Sequence, residues 1–256
     1  MTDHEPRFAN PTIDLMSSHV SVRRFTDEEV SDEAVDAILG AARRAPTSSN
    51  WQTYSIVVVR EPSIKERLAE ISGNQEHVVA SRVFFVFCAD IRRLHVVAER
   101  HGIEPLLGLQ DTLVAVVDAA IAGEAAQIAV ESLGLGAVMV GALRRDAVAV
   151  AEVLGLPEGV APVYGMSVGW PADDPLEPGL KPRLPEALVV HRDRYSDEGA
   201  EALIDAYNAE LAAFYERQGR NLDADAAWTG PMARRLRVVR YANLRADMEA
   251  LGFRFD

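Results

Sequence analysis

The stretch His19-Val-Ser-Val-Arg-Arg-Phe25 concentrates anion-binding side chains in an otherwise acidic chain. An extended backbone points alternate side chains to one face, so the imidazole, hydroxyl and guanidinium of His19, Ser21 and Arg23 would share a side. Three donors on one side can meet a single phosphate. Taken alone, the stretch allows two readings: a phosphate grip, or a surface strand whose polar side chains are solvated.

The rest of the chain sets the bounds. At 256 residues it is long enough for a substantial core, and one domain is expected. Hydrophobic residues at 48% and charged residues at 25% are those of a globular protein. A net charge of -13 argues against a nucleic-acid binder or a protein held to anionic lipid. Cys88 is the sole cysteine and lies in the apolar run Val83-Phe-Phe-Val-Phe-Cys88, so a buried thiol in a reducing compartment is expected. The first ten residues lack a signal-peptide core and no run approaches membrane-spanning length, which predicts a cytoplasmic protein without a membrane. Arginine supplies nearly all positive charge, the two lysines being Lys65 and Lys181. Lys181 stands in Leu180-Lys-Pro-Arg-Leu-Pro185, where prolines hold two cations in a fixed relation or simply stiffen a solvated loop.

In chain order, a short helical pattern spans Ile13 to Met16. Ser31 is the expected N-cap of a helix reaching about Arg44. Pro46-Thr-Ser-Ser-Asn-Trp-Gln52 is a polar loop that suits either the edge of a planar heterocycle or a cluster of turns. Ser55–Arg60 reads as a strand, Ser63 to Ile71 as a helix, and Gln75 and His77 as part of a polar loop. Arg82–Ala89 is apolar on both faces and so a central strand. Leu106 to Gly134 predicts one long helix whose small residues, with Gly123 at their centre, allow a close approach. That approach is read either as a symmetric dimer seam, the preferred choice, or as packing on the chain's own sheet. Gly136–Arg144 predicts a strand running through Gly141 and Ala142 into a helix from about Asp146 to Leu154. Val160–Trp170 predicts the next strand. Ser196 is the expected cap of a helix to about Gln218, and a second helix begins near Pro231 and ends before Gly252.

Two tempting motifs fail on context. Gly165-Met-Ser-Val-Gly169 matches a nucleophile elbow, but Val-Gly-Trp-Pro171 after Ser167 cannot open the required helix. Gly134-Leu-Gly136 precedes its strand instead of following one, unlike a dinucleotide fingerprint. No H-E-x-x-H or cysteine set offers a metal site.

Taken together, the chain resembles the FMN-dependent nitroreductase family, in its oxygen-insensitive NADPH nitroreductase and NADPH-flavin oxidoreductase group. The resemblance rests on His19-Val-Ser-Val-Arg-Arg-Phe-Thr-Asp-Glu28, Asn74-Gln-Glu-His77, Glu131-Ser-Leu-Gly-Leu-Gly136, Val168-Gly-Trp-Pro-Ala-Asp173 and Lys181-Pro-Arg-Leu-Pro185, in this order and spacing. It implies an α+β fold: a mixed, mostly antiparallel sheet flanked by helices, in a homodimer with one FMN in each interface cleft. Residues 1–195 would form the FMN-binding core and 196–256 a helical arm of the same domain that embraces the partner. It also implies cofactor-binding roles. His19, Ser21, Arg23 and Arg183 would hold the phosphate and ribityl end, Val20 and His77 lie in the matching motifs, Lys181 and Gln75 would approach the ring, Thr47 would touch FMN from the serine-rich loop, and Met139, Val140, Gly141 and Ala142 would pass beside the isoalloxazine.

The implied reaction is NAD(P)H oxidation coupled to reduction of a small aromatic acceptor, a nitroaromatic, quinone or free flavin, with ping-pong kinetics and no protein nucleophile. Val20 stands where relatives commonly carry arginine, Met139 where an aromatic often lies, and Ala142 where a second glycine is usual. Arg217 and Arg220 are the candidate NAD(P)H contacts, with Asp223 and Asp225 in the same loop where NADPH-preferring relatives carry basic residues; NADPH is placed only slightly ahead of NADH. A different reduction on the same scaffold, such as dehalogenation or enoate reduction, and a flavin carrier without turnover remain open alternatives.

Overall fold

A computed structural model describes residues 10–173 and 179–256. Its sheet is built from Tyr54–Val59 (β1), Val83–Asp90 (β2), Gly136–Val140 (β3) and Val160–Gly169 (β4), in the order β1-β2-β4-β3 with every neighbouring pair antiparallel. Among the described residues, a parallel pairing enters only as an isolated bridge between Ser21 and Ala137.

β2 owes its central place to its composition, since all eight of its residues are buried. Phe85 and Phe87 point to one face, against Val35, Ile38, Ala126 and Val130. Phe84, Val86 and Cys88 point to the other, against Leu68, Val78 and Val150. Full burial of each such aromatic side chain is worth about 1.5–3 kcal/mol, so this strand is the chief apolar anchor of the fold. Burial also pushes the Cys88 thiol up to about 12, leaving it protonated and inert.

The helices of the first part are Pro11–Ser17 (α1), Asp32–Ala42 (α2), Pro62–Ile71 (α3), Glu76–Ala80 (α4), Arg92–His101 (α5), Leu109–Ser132 (α6) and Ala147–Leu154 (α7). Ser31 caps α2 through Ala34 N–H, Asp146 caps α7 through Ala149 N–H, and Gly155 closes α7 in the left-handed region. The segment expected as a polar loop at His77 is instead the short α4, pinned by buried Val78. α5 fully buries Ala98, packs Leu94 on the core and is closed by left-handed Gly102.

α6 falls within the expected Leu106–Gly134, but its role differs from the preferred reading. Its length and composition would suffice to cross a membrane, contrary to expectation. Ala115, Ala119, Ala122 and Ala126 are buried within the chain, and a side chain on Gly123 would stand 1.8 Å from Tyr164 Oη of β4. The small face therefore packs on the chain's own sheet, so Gly123 is not explained by a dimer seam. The opposite side exposes Leu109, Leu113, Val117 and Ile121.

The chain divides into two compact units, residues 1–173 with 241–256, and residues 174–240. The division falls at 174 instead of 196, and the C-terminal end rejoins the first unit through Met248, Leu251 and Phe253, buried beside Ala115 and Ala161. In the second unit, Ala200–Glu216 (α8) starts after left-handed Gly199, later than a cap at Ser196 would allow. Tyr207, Leu211 and Phe214 of α8 bury against Ala227. The single second helix expected from Pro231 to Gly252 is broken: Ala224–Ala227 (α9), Thr229–Leu236 (α10) and, in the first unit, Leu244–Ala250 (α11) follow one another, with Tyr241 left-handed between the last two.

Candidate functional site

The His19–Phe25 stretch lies along the edge of β3. Ser21 bridges Ala137, Val22 N–H donates to Ala137 O at 2.9 Å, and Phe25 bridges Pro171. Two glycines explain why it can lie so close. Gly136 and Gly169 face each other across the β3–β4 ladder, and a side chain on the first would meet Val22 at 2.7 Å, on the second Phe25 at 2.9 Å. Val22 and Phe25 thus occupy the space two missing side chains leave, while His19 and Ser21 are half-buried and Arg23 is exposed.

His19 is fixed from α6. Its Nδ1 lies 2.5 Å from Glu131 Oε1, and Gln127 Nε2 donates to the same carboxylate oxygen at 2.9 Å. Arg23 folds back so that Nη1 donates to Ser21 O at 3.2 Å. Val20 beside them is half-buried. Gln75 precedes α4 and donates through Nε2 to Ser72 O at 3.0 Å. In the first turn of α4, His77 carries a buried Nδ1 with no hydrogen-bond partner. Burial, and then the positive charge of Arg23, lower the His77 pKa. The charge of Arg23 thus reaches His77 although 54 positions separate them in sequence.

β3 contributes backbone more than side chains. Met139 is half-buried, whereas Val140 is enclosed in the core beside Leu143, so only its main chain can face a ligand. Gly141 and Ala142 open a 3₁₀ turn, with the Arg144 guanidinium lying over Gly141 and donating to Val163 O.

Thr47 is held elsewhere. It precedes the turn Ser48–Asn50, and the loop is tied to α6 by buried Asp118, which accepts from Ser48 N–H at 3.1 Å, Thr53 N–H at 3.0 Å and Thr53 Oγ1 at 2.8 Å. Asp118 and Glu131 are thirteen residues apart on one helix, about 20 Å along its axis. A single chain thus lays His19, Ser21 and Arg23 along β3, which runs on into Met139–Ala142, and holds the Thr47 loop against the N-terminal half of α6, away from Glu131.

In the second unit, Arg183 Nη1 donates to Lys181 O at 3.0 Å, and Tyr207 Oη donates to Pro182 O at 3.1 Å, so the Lys181-Pro-Arg183 loop is tied to α8. Lys181 Nζ lies 5.4 Å and the Arg220 guanidinium 4.6 Å from the centre of the Tyr215 ring, and Arg217 stacks on Phe214 at 6.0 Å.

The serine of the discounted elbow, Ser167, lies in the interior of β4 with its Oγ fully buried and unpartnered, where no substrate reaches it. The residues that sequence reading missed are Asp118, Gln127 and the supporting role of Glu131. Their signal was present: an acid and an amide facing inward on an alanine-rich helix need partners.

The sequence matches the nitroreductase family over residues 16–170, and that family's C-terminal domain over residues 181–256. The chain belongs to the nitroreductase family. Among its relatives in that family, the oxygen-insensitive NADPH nitroreductase of Salmonella typhimurium is 41% identical, the alignment covering 89% of this chain and 91% of that protein. The FMN reductase (NADPH) of Bacillus subtilis is 36% identical over 86% and 89%. Among solved nitroreductase-like structures, the NADPH:FMN oxidoreductase of Vibrio harveyi complexed with NAD+ superposes with a TM-score of 0.85 at 32% identity, covering 95% of this chain and 99% of that one. B. megaterium NfrA2 superposes with a TM-score of 0.92 at 38% identity, over 97% and 100%.

Proposed function

We propose that this protein is an FMN-dependent NAD(P)H oxidoreductase that reduces nitroaromatics, quinones or free flavins. What supports the reading is the donor-bearing stretch from His19 to Arg23 laid along β3, with Val22 and Phe25 seated over Gly136 and Gly169. Its chemistry suits a phosphate monoester, and the unpartnered Nδ1 of His77, a ring that the charge of Arg23 reaches, is a polar atom that a bound ligand would satisfy.

In this reading His19, Ser21 and Arg23 bind the FMN phosphate, with Arg183 as a further cation. Gln75, His77 and the main chain of Met139–Ala142 orient the ring, with Lys181 as a fixed positive charge for it. When bound, FMN would supply the two-electron chemistry that links NAD(P)H to the acceptor. The protein's share is to hold the ring so that donor and acceptor use the same open face in turn, which gives ping-pong kinetics. Arg217 and Arg220 are the proposed contacts for NADPH or NADH. The working form is a cytoplasmic homodimer: the distance of Thr47 from His19 along α6, and the exposed Leu113, Val117 and Ile121, favour a site completed by a second copy. Of the arm expected from residue 196 onward, the part up to residue 240 is proposed to wrap that copy, since 241–256 pack in the chain's own first unit.

The test is titration of the purified protein with FMN, followed by anaerobic addition of NADPH or NADH and an acceptor screen. Binding, bleaching of the flavin absorbance and parallel double-reciprocal lines are expected. Failure to bind FMN, or intersecting lines, refutes the proposal.

A further inference from the structure

The phosphate-binding stretch is backed by a hydrogen-bonded group whose proton inventory can be read from its geometry. A 2.5 Å approach of His19 Nδ1 to Glu131 Oε1 requires a proton between them, and a carboxylate at neutral pH has none to give. The Nδ1–H therefore donates to Glu131. Gln127 donates its amide hydrogen to the same oxygen at 2.9 Å, so its 3.0 Å approach to Nδ1 follows from the shared acceptor. Glu131 is largely shielded, its side chain 13% exposed, while the imidazole is 31% exposed and keeps Nε2 for an incoming group.

We propose that Glu131 is a positioning residue that fixes the His19 tautomer and thereby makes recognition of a phosphate monoester depend on protonation of His19. This rests on the reading of His19 as a phosphate contact. With Nδ1–H committed to Glu131, the neutral ring presents a bare lone pair at Nε2, which repels phosphate oxygen. Only the imidazolium donates from Nε2. Glu131 is the titratable group facing His19 from α6, and Gln127 is neutral. β3 carries no titratable side chain, α1 carries only Asp14 in its first turn, and the cations of the stretch itself are Arg23 and Arg24. Proton uptake on phosphate binding is thereby assigned to His19.

The experiment compares FMN with riboflavin, which lacks the phosphate, by flavin fluorescence quenching between about pH 6.5 and 8.5, above the second phosphate ionisation. Wild type should lose FMN affinity as pH rises, with a slope approaching about tenfold per pH unit, the limit for one linked proton, and hold riboflavin unchanged. In E131Q the amide can donate to Nδ1, the neutral ring can carry its hydrogen on Nε2, and the FMN profile should flatten. H19Q should be flat and weaker for FMN alone. A wild-type slope retained in E131Q or H19Q, or riboflavin falling in step with FMN, overturns the proposal. Absence of binding of both flavins by wild type at every pH refutes the functional reading itself.

Discussion

Replacing Asp118 by alanine should be among the most damaging single changes outside the sheet, and the structure allows the size to be worked out. The carboxylate is 1% exposed and accepts three hydrogen bonds from the loop that follows α2. In D118A the Thr53 hydroxyl can turn to another acceptor, but the N–H groups of Ser48 and Thr53 cannot. Each orphaned, desolvated donor costs about 1–3 kcal/mol, giving about 2–6 kcal/mol for the pair. Two effects reduce this. The carboxylate's own desolvation is no longer suffered, and the loop can relax from its left-handed Ser49, Asn50 and Gln52, each of which costs about 1 kcal/mol. A net loss of about 3 kcal/mol follows. For a protein of this length that lowers Tm by about 6–12 °C, measurable by circular dichroism, and limited proteolysis should cut within 47–52 at an increased rate. D118N keeps one acceptor and should fall between. A Tm change below about 2 °C in D118A, with unchanged proteolysis, would refute the assignment of Asp118 as the anchor.

Two other outcomes follow from contacts already described. G123A gains about 1 kcal/mol of helix propensity but must displace the Tyr164 ring, which packs on Phe87 and donates to the carbonyls of Ala119 and Ala120, so urea unfolding should show a net loss of about 1–2 kcal/mol, partly recovered in G123A/Y164F; a stabilised G123A would contradict the contact. His77, its pKa lowered by burial and by Arg23, stays neutral in the native protein while the unfolded chain takes a proton near 6.5, so its contribution is present above that pH and lost as pH falls through the native value; Tm against pH should fall less steeply below about 6.5 in H77Q than in wild type, and identical profiles would count against it.

What the sequence made legible were features with a local cause. β2 announced itself by an uninterrupted apolar run, and α2 and α7 by their caps. The His19–Arg23 stretch stood out as alternating polar donors. Its resting place did not, because Gly136 and Gly169 lie in different strands and only the ladder sets them opposite each other. α4 went unread because five residues with one of them buried are too few to show a period. The broken C-terminal helices reflect a backbone reversal at Tyr241 that no glycine or proline there foretells. Asp118 and Glu131 were readable as polar exceptions on α6, but which loops they hold depends on tertiary packing.

The contact between Gly123 and Tyr164 also bears on how the molecule can vary. It acts as an indexing pin that sets the azimuth of a rod from which two remote groups are hung, the 47–53 loop by Asp118 and the His19 ring by Glu131. A few degrees of roll would carry both away at once, so drift at either pin residue would be felt as a correlated displacement at two places that never touch.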